Sequence, residues 1–107
     1  SVVLKLLLME NKMLKLTDDL ISNELAGLNG WAREGEAIKK DYQFNNFNEV
    51  VQAVNRIAAL AEDQHHHPDI LMHGWNKLSI ISSTHDANGI TGRDFKLADT
   101  IEKIVNP

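Results

Sequence analysis

The stretch FNNFNEVVQAVNRIAALAEDQHHHP, residues 44–68, contains the strongest helical pattern in the sequence. Its apolar residues recur at i, i+3 and i+4, the spacing of an amphipathic helix. They are Phe47, Val50, Val51, Val54, Ile57, Ala58 and Ala61. Asn46, followed three residues later by Glu49, fits a capping box with asparagine as the N-cap. The stretch therefore predicts a helix over residues 47–64.

Three consecutive histidines, His65 to His67, follow this predicted helix and end at Pro68. The residue before a proline is pushed out of the α region, so we expect the helix to end before Pro68. The pattern then predicts a loop over residues 68–74. It also places the histidines at the C-terminal end of the helix.

Upstream, the sequence predicts a second, shorter helix. The hydroxyl of Thr17 can cap free N–H groups, and Asp18 and Asp19 favour the positive end of a helix dipole. Asn29-Gly30 is typical of a helix stop, because glycine tolerates the left-handed conformation after the last turn. We expect a helix over about residues 17–28.

The segment between the two helices favours a β-hairpin. It begins at Trp31 and contains a glycine-centred turn at Glu34-Gly35-Glu36. After the turn, one side of the predicted strand is marked with period two. The residues on that side are Ile38, Lys40, Tyr42 and Phe44.

Downstream, WNKLSIISST at residues 75–84 alternates again and is rich in β-branched residues, which predicts a strand. Asn88-Gly89 indicates a turn, and Thr91 with Asp94 predicts the cap of a final helix. One face of that helix is apolar, formed by Phe95, Ala98, Ile101 and Val105. The predicted order is α-β-β-α-β-α, which indicates an α+β fold with an antiparallel β-sheet and helices packed on one face.

The first stretch, SVVLKLLLMENKMLKL at residues 1–16, is unusually aliphatic. Polar and charged residues interrupt it too often for a membrane span, and it has no basic region before its apolar core, as a secretory signal would have. We interpret it as an N-terminal extension that forms an extra strand or helix, with a trimmed targeting segment as the alternative. Residues 17–107 then form the single functional domain.

Composition and charge exclude several classes of protein. The 107 residues are 43% hydrophobic and 24% charged, which is ordinary for one globular domain. The net charge of −4, with dispersed basic residues, argues against direct binding of nucleic acid. The absence of cysteine excludes disulfides and thiolate chemistry. It also fits a reducing compartment, so we expect a cytoplasmic protein with no membrane contact.

All five histidines lie between residues 65 and 85, and this clustering has three interpretations. A metal site is one, although adjacent histidines rarely point at one ion. A solvated loop is the second. The third is an acid/base pocket, because histidine exchanges protons near neutral pH and each such step accelerates a reaction by roughly a hundredfold to ten-thousandfold. Carboxylates that could steer the rings stand nearby in the sequence, at Glu62, Asp63, Asp69 and Asp86.

The spacing around the histidines resembles the signature of the pterin-4a-carbinolamine dehydratase family. Glu62 is followed after three residues by His66-His67-Pro68, then after six by Trp75 and after nine more by His85. Asp94 stands beyond, where the signature has an aspartate. The flanking segments agree as well, including GW at 30–31, WNKL at 75–78 and THD at 84–86. The resemblance extends over about residues 17–105.

The resemblance implies a dehydratase that converts 4a-hydroxytetrahydrobiopterin to quinonoid dihydrobiopterin and water, in the recycling of tetrahydrobiopterin. It implies His66, His67 and His85 as the acid/base group and Glu62 and Asp86 as orienting carboxylates. The expected substrate-binding residues are His66, His67, Pro68, Ser83, Thr84, His85 and Asp86. We expect neither a cofactor nor a metal.

The resemblance also implies an assembly and a second kind of partner. The family forms homodimers and homotetramers, and some members also act as dimerisation cofactors of a homeodomain transcription factor. Such a role uses a protein surface rather than DNA contact, and it would extend the expected location to the nucleus. The alternative function is therefore a protein-binding module.

Some positions depart from the family or stand outside its signature. His65 stands where relatives often have Asn or Asp, and Ile70 where an aromatic residue is common. We expect His73 to be a surface residue without a role in the site. We expect Trp31 and Trp75 to pack in the fold rather than stack on the substrate.

Overall fold

A computed structural model of the chain describes residues 14–105. In chain order its elements are α1 (Asp18–Ala26), β1 (Ala32–Glu34), β2 (Ala37–Gln43), α2 (Phe47–Gln64), β3 (Asp69–His73), β4 (Lys77–Ser82), a 3₁₀ turn (His85–Ala87) and α3 (Gly92–Val105). The predicted N-terminal extension falls largely on residues 1–13, outside the described residues. Within residues 14–105, no helix is long and apolar enough to cross a membrane.

The four strands form one antiparallel sheet in the order β1-β2-β4-β3. One face of the sheet carries the buried side chains of its central strands, Ile38 and Tyr42 from β2 and Leu78 and Ile80 from β4. These pack in one core with buried residues of the helices, including Val50, Ile57, Leu97 and Ile101. The predicted α+β class, with helices covering one face of an antiparallel sheet, is confirmed.

Helix α2 begins and ends where its periodicity predicts. The side chain of Asn46 accepts a hydrogen bond from the backbone N–H of Glu49 at 2.9 Å. The Glu49 carboxylate in turn accepts from the backbone N–H of Asn45 at 2.9 Å, one residue earlier than a standard capping box. Helix α1 has its predicted N-cap at Thr17 but ends at Ala26, two residues before the predicted end, because Gly27 caps it.

The prediction of a loop over residues 68–74 is wrong, because Asp69–His73 forms the edge strand β3. Ile70 and Met72 are half-buried towards the core, but the alternation is hidden because Leu71, on the outer face, is apolar too and 55% exposed. Gly74 and Trp75, at φ of 56° and 54°, form the turn into β4. Within residues 14–105 the sheet therefore has one strand more than the sequence predicts.

The two tryptophans have different environments. Trp31 is buried, as predicted, and its indole N–H donates to a carboxylate oxygen of Glu102 at 3.0 Å. Trp75 is 65% exposed in the β3–β4 turn, so the prediction that it packs in the fold is wrong. A turn residue with positive φ directs its side chain by backbone geometry rather than by the hydrophobic period of a strand.

The Glu102 carboxylate joins α3 to the start of the sheet. Besides the Trp31 indole, the Lys40 ammonium and the Tyr42 hydroxyl donate to the same oxygen, at 2.6 Å and 2.5 Å. Burial alone would raise the pKa of Glu102, but these donors outweigh it and the pKa lies below its ordinary value of 4.5. Burial and the neighbouring carboxylate raise the pKa of Tyr42, so its hydroxyl remains a donor.

Candidate active site

The histidine run begins at the C-cap of α2. His65 has left-handed backbone angles of φ 52° and ψ 40°, and its N–H donates to the carbonyl of Glu62 at 3.2 Å. The N–H of His66 donates to the carbonyl of Ala61 at 3.1 Å, which completes a Schellman motif. The helix thus ends at Gln64, four residues before Pro68. Asn, Asp and His are the side chains that most often tolerate this conformation, which accounts for the off-pattern His65.

His66 turns inward from this cap and is 8% exposed. Its Nε2 lies 2.6 Å from a carboxylate oxygen of Asp94, the first-turn acid of α3, and 3.5 Å from the hydroxyl of Ser82. A buried histidine that contacts a buried carboxylate has its ring orientation fixed. The Nε2 nitrogen of His66 is therefore held in place by the Asp94 carboxylate.

Asp94 is fully buried and lies at the centre of this contact network. Its first oxygen accepts from the Ser82 hydroxyl at 2.6 Å. Its second oxygen accepts from the Thr84 hydroxyl and from the backbone N–H of Thr91, both at 2.9 Å. The contact with Thr91 confirms the predicted cap of the last helix. We name this group, Asp94 with His66, Ser82, Thr84 and Thr91, the Asp94 network.

His67, the next residue, points outward. Its side chain is 62% exposed, and its Nε2 lies 3.5 Å from a carboxylate oxygen of Glu62, which is 78% exposed. His85 is also exposed, in the 3₁₀ turn that follows β4. The two outward histidines are accessible to a ligand, whereas His66 is anchored.

These elements surround a cleft of about 230 Å³. Its walls come from the end of α2, the residues after β4 and the first turn of α3. The residues that line it are His65, His66, His67, Ser83, Thr84, His85, Asp86 and Arg93. The cleft thus contains four of the five histidines together with one acid and one guanidinium.

Most of the predicted site residues meet in this cleft, and two of them do not line it. Glu62 lies outside and reaches only His67, and Pro68 follows the histidines without lining the cleft. Asp86 lines the cleft, but the carboxylate on His66 belongs to Asp94.

His73 lies away from the cleft, on the outer face of the sheet. Its Nε2 is 2.9 Å from the hydroxyl of Ser79, which donates to Asp41 at 2.6 Å. Within residues 14–105, no group of three or more His, Asp or Glu side chains has a geometry that could hold a metal ion.

Sequence reasoning missed two residues of the site. The role of Asp94 towards His66 was hidden because 28 residues separate them, although Asp94 was recognised as a helix cap and as part of the family signature. Arg93 carried no signal at all, since a single arginine beside a capping residue is a common surface feature. Both are brought to the cleft by the first turn of α3.

The cleft can be compared with known proteins. The sequence model of the family described as Pterin 4 alpha carbinolamine dehydratase matches residues 14–104, which include every residue that lines the cleft. The chain belongs to this family. Its predicted membership, made on the histidine spacing, is confirmed.

Two relatives of similar length carry the provisional name pterin-4-alpha-carbinolamine dehydratase. The protein from Thermomicrobium roseum is 40% identical over 94 residues, which span 88% of this chain and 100% of the relative. The protein from Mycobacteroides abscessus is 46% identical over 90 residues, which span 84% of this chain and 95% of the relative. The names of the relatives and of the family agree on a dehydratase, which is a carbon–oxygen lyase.

The fold agrees with a solved structure from the same group. A Brucella melitensis protein described as a transcriptional coactivator/pterin dehydratase superposes with a TM-score of 0.81 at 29% identity. The match covers 86% of this chain and 99% of the other. The described architecture is thus the one that a family member adopts in a crystal.

Proposed function

We propose that the protein dehydrates 4a-hydroxytetrahydropterins, with 4a-hydroxytetrahydrobiopterin as the substrate in tetrahydrobiopterin recycling. The observation that carries the proposal is the convergence of three histidines on one cleft, two accessible and one anchored by the buried Asp94. Family membership supports the substrate class, since relatives are named for this reaction.

The reaction needs two proton transfers. The C4a–O bond breaks with its electron pair, so the hydroxyl must receive a proton to leave as water. The N5–H bond gives its electron pair to a new C4a–N5 double bond, and the N5 proton must be removed. The products are quinonoid dihydropterin and water, and no redox partner takes part. One acid and one base near neutral pH are sufficient for this chemistry.

The histidines suit these two tasks in different ways. His66, His67 and His85 all line the cleft and form the proposed acid/base group, in which His67 and His85 are the more exposed. His66 shares its buried side with Asp94, which holds the ring so that its free edge is positioned towards the cleft. Glu62 steadies the His67 ring from outside, and Asp86 offers an acceptor for N–H groups of the pterin.

The test is the dehydration of freshly generated 4a-carbinolamine. We expect His67→Ala and His85→Ala each to lower the rate by at least about tenfold, because each removes a proton-transfer group. His73→Ala is the matched control, because it removes a histidine from the outer face of the sheet. Wild-type rates for both cleft variants would overturn the proposal.

A second candidate function is a protein-binding module that acts as a dimerisation cofactor of a transcription factor. The description of the Brucella melitensis protein as a transcriptional coactivator favours this candidate. A protein partner retained by wild type and lost on Phe47→Ser, an exposed position on α2, with dehydration unchanged, would support it. Retention by both proteins would argue against α2 as the surface.

The proposed assembly is a homodimer or homotetramer. Within the described residues the sheet ends at strand β3, and a strand edge with unpaired backbone groups requires cover. Leu71 on β3 adds an exposed apolar side chain beside it. Light scattering that reports a monomer at micromolar concentration would contradict this assembly.

A further inference from the structure

Arg93 differs from the rest of the cleft because its charge is fixed. It is half-buried in the first turn of α3. Its backbone N–H donates to the Thr91 hydroxyl at 3.2 Å, but its guanidinium has no hydrogen bond or ion pair with any of residues 14–105. The guanidinium of Arg33, by contrast, pairs with Asp18 and Glu36. The positive charge of Arg93 is thus left for a ligand.

Neither the helix nor the network beneath it explains the charge of Arg93. A cation in the first turn of a helix is unfavourable, because it stands at the positive end of the dipole. Asp94, its sequence neighbour, is buried, and its carboxylate already contacts the four other members of the Asp94 network. A residue that breaks a local rule without a compensating contact indicates a functional requirement.

The surroundings of Arg93 favour an anion. Among the residues that line the cleft, Arg93 has the only fixed positive charge, and Asp86 is the only carboxylate. Asp86 lies beyond ion-pair distance of the guanidinium, since neither residue has such a contact. The other ionisable side chains that line the cleft are histidines, and each of them adds positive charge when it is protonated. A planar guanidinium matches the two oxygens of a carboxylate or phosphate.

We propose that Arg93 extends the substrate range by binding an oxyanion on the pterin side chain, so that pterins with a carboxylate or phosphate substituent bind more tightly than those with a neutral side chain, such as 4a-hydroxytetrahydrobiopterin. The inference rests on the proposed function, because it takes the cleft to be the pterin site. Arg93 does not transfer the protons of the reaction. It positions the ring through the substituent and thereby lowers KM more than it raises kcat.

Direct binding of oxidised pterins, which cannot be dehydrated, separates recognition from catalysis. The probes are pterin-6-carboxylate, 6-hydroxymethylpterin and the phosphate ester of 6-hydroxymethylpterin, followed by their fluorescence. We expect at least one anionic probe to bind wild type about tenfold more tightly than the neutral alcohol, the size of one charge-assisted hydrogen bond in a partly exposed cleft. Which anion gains more identifies carboxylate or phosphate as the group.

Variants then assign the effect to Arg93. The ratio compared is the affinity for an anionic probe divided by the affinity for the neutral alcohol. Arg93→Gln should bring this ratio close to one, and Arg93→Lys should leave an intermediate ratio. Arg56→Gln is the matched control, because Arg56 is exposed on α2 beside a different depression of the surface. It removes the same charge and should keep the wild-type ratio.

Equal binding of all three probes by wild type, or an unchanged ratio in Arg93→Gln, would overturn the inference. If wild type nonetheless dehydrates 4a-carbinolamine, the proposed function survives that failure. Failure of wild type to dehydrate any carbinolamine would overturn the proposed function instead. A fall in the ratio for Arg56→Gln as large as for Arg93→Gln would assign the effect to net charge and overturn the role of Arg93.

Discussion

Two carboxylates on the same helix, Asp94 and Glu102, accept hydrogen bonds in the same way but have different surroundings. Asp94 is fully buried in the first turn of α3 and holds His66 beneath the cleft. Glu102 lies two turns later, is partly exposed, and holds Lys40 and Tyr42 of β2. Each joins α3 to distant parts of the chain.

The difference between them lies in the partner rather than in the carboxylate. The Tyr42 hydroxyl stays a donor to Glu102, because burial and the carboxylate raise the pKa of Tyr42, and Lys40 pairs with the same carboxylate. The partner of Asp94 is a histidine, the side chain that exchanges protons near neutral pH. The same contact therefore acts as a structural tie at Glu102 and, on our proposal, as a support for catalysis at Asp94.

The largest effect on folding is expected for Asp94→Asn. The change removes a buried charge from four contacts and leaves an amide that cannot accept from all of them. We expect the free energy of unfolding to fall by about 3 kcal/mol, measured by urea denaturation. A loss of stability smaller than that of Glu102→Gln would contradict the claim that the buried carboxylate contributes more than the partly exposed one.

A smaller loss is expected for Glu102→Gln. The amide keeps one acceptor oxygen for Tyr42 and Trp31 but loses the charge that pairs with Lys40. We expect the free energy of unfolding to fall by about 1 kcal/mol, less than for a buried pair because solvent screens this site. The same denaturation series measures it, and a loss as large as that of Asp94→Asn would contradict the distinction.

The Glu102 contacts also predict a dependence on acid. Its pKa is lowered in the folded protein, so its stabilisation is present above the ordinary value of 4.5 and is lost as pH falls through the folded pKa. The stability difference between wild type and Glu102→Gln should therefore be larger at about pH 7 than at about pH 3. Urea midpoints of both proteins at the two pH values measure it. A constant difference would show that the charge of Glu102 does not contribute.

The smallest effect is expected at the cap that positions the histidines. His65→Gly should raise the free energy of unfolding by about 0.5 kcal/mol, because glycine adopts the left-handed conformation of His65 without strain. His67→Gly is the control, since His67 is absent from the residues with positive φ and glycine relieves nothing there. Thermal melts of both variants measure the effect. A gain for His67→Gly and none for His65→Gly would contradict this explanation, because the left-handed conformation of His65 would then cost no stability.

The fold was predictable where local patterns and packing agree. Helix α2 has a cap at Asn46 and an unbroken apolar period, and both survive in the structure. Strand β3 was missed because Leu71 is apolar on the outer face, so the alternation that marks a half-buried strand was absent from the sequence. Only the pairing of β3 with β4 makes Asp69–His73 a strand, and no local pattern reports a pairing.

The site was predictable to the level of its histidines but not of their partners. The family resemblance implied Glu62 and Asp86 as orienting carboxylates, and Glu62 does approach His67. The acid on His66 is Asp94, which the helix cap brings to the floor of the cleft from another part of the chain. Side-chain contacts between distant elements depend on the fold, so they could be inferred only after the sheet and α3 were placed.

The most direct test of the account compares the dehydration of freshly generated 4a-carbinolamine by Asp94→Asn and Glu102→Gln, each rate corrected for the folded fraction. If Asp94 supports the catalytic histidines, the corrected rate of Asp94→Asn falls by at least about tenfold while Glu102→Gln keeps the wild-type rate. Equal corrected rates in the two variants would contradict the account, because Asp94 would then be a structural tie like Glu102.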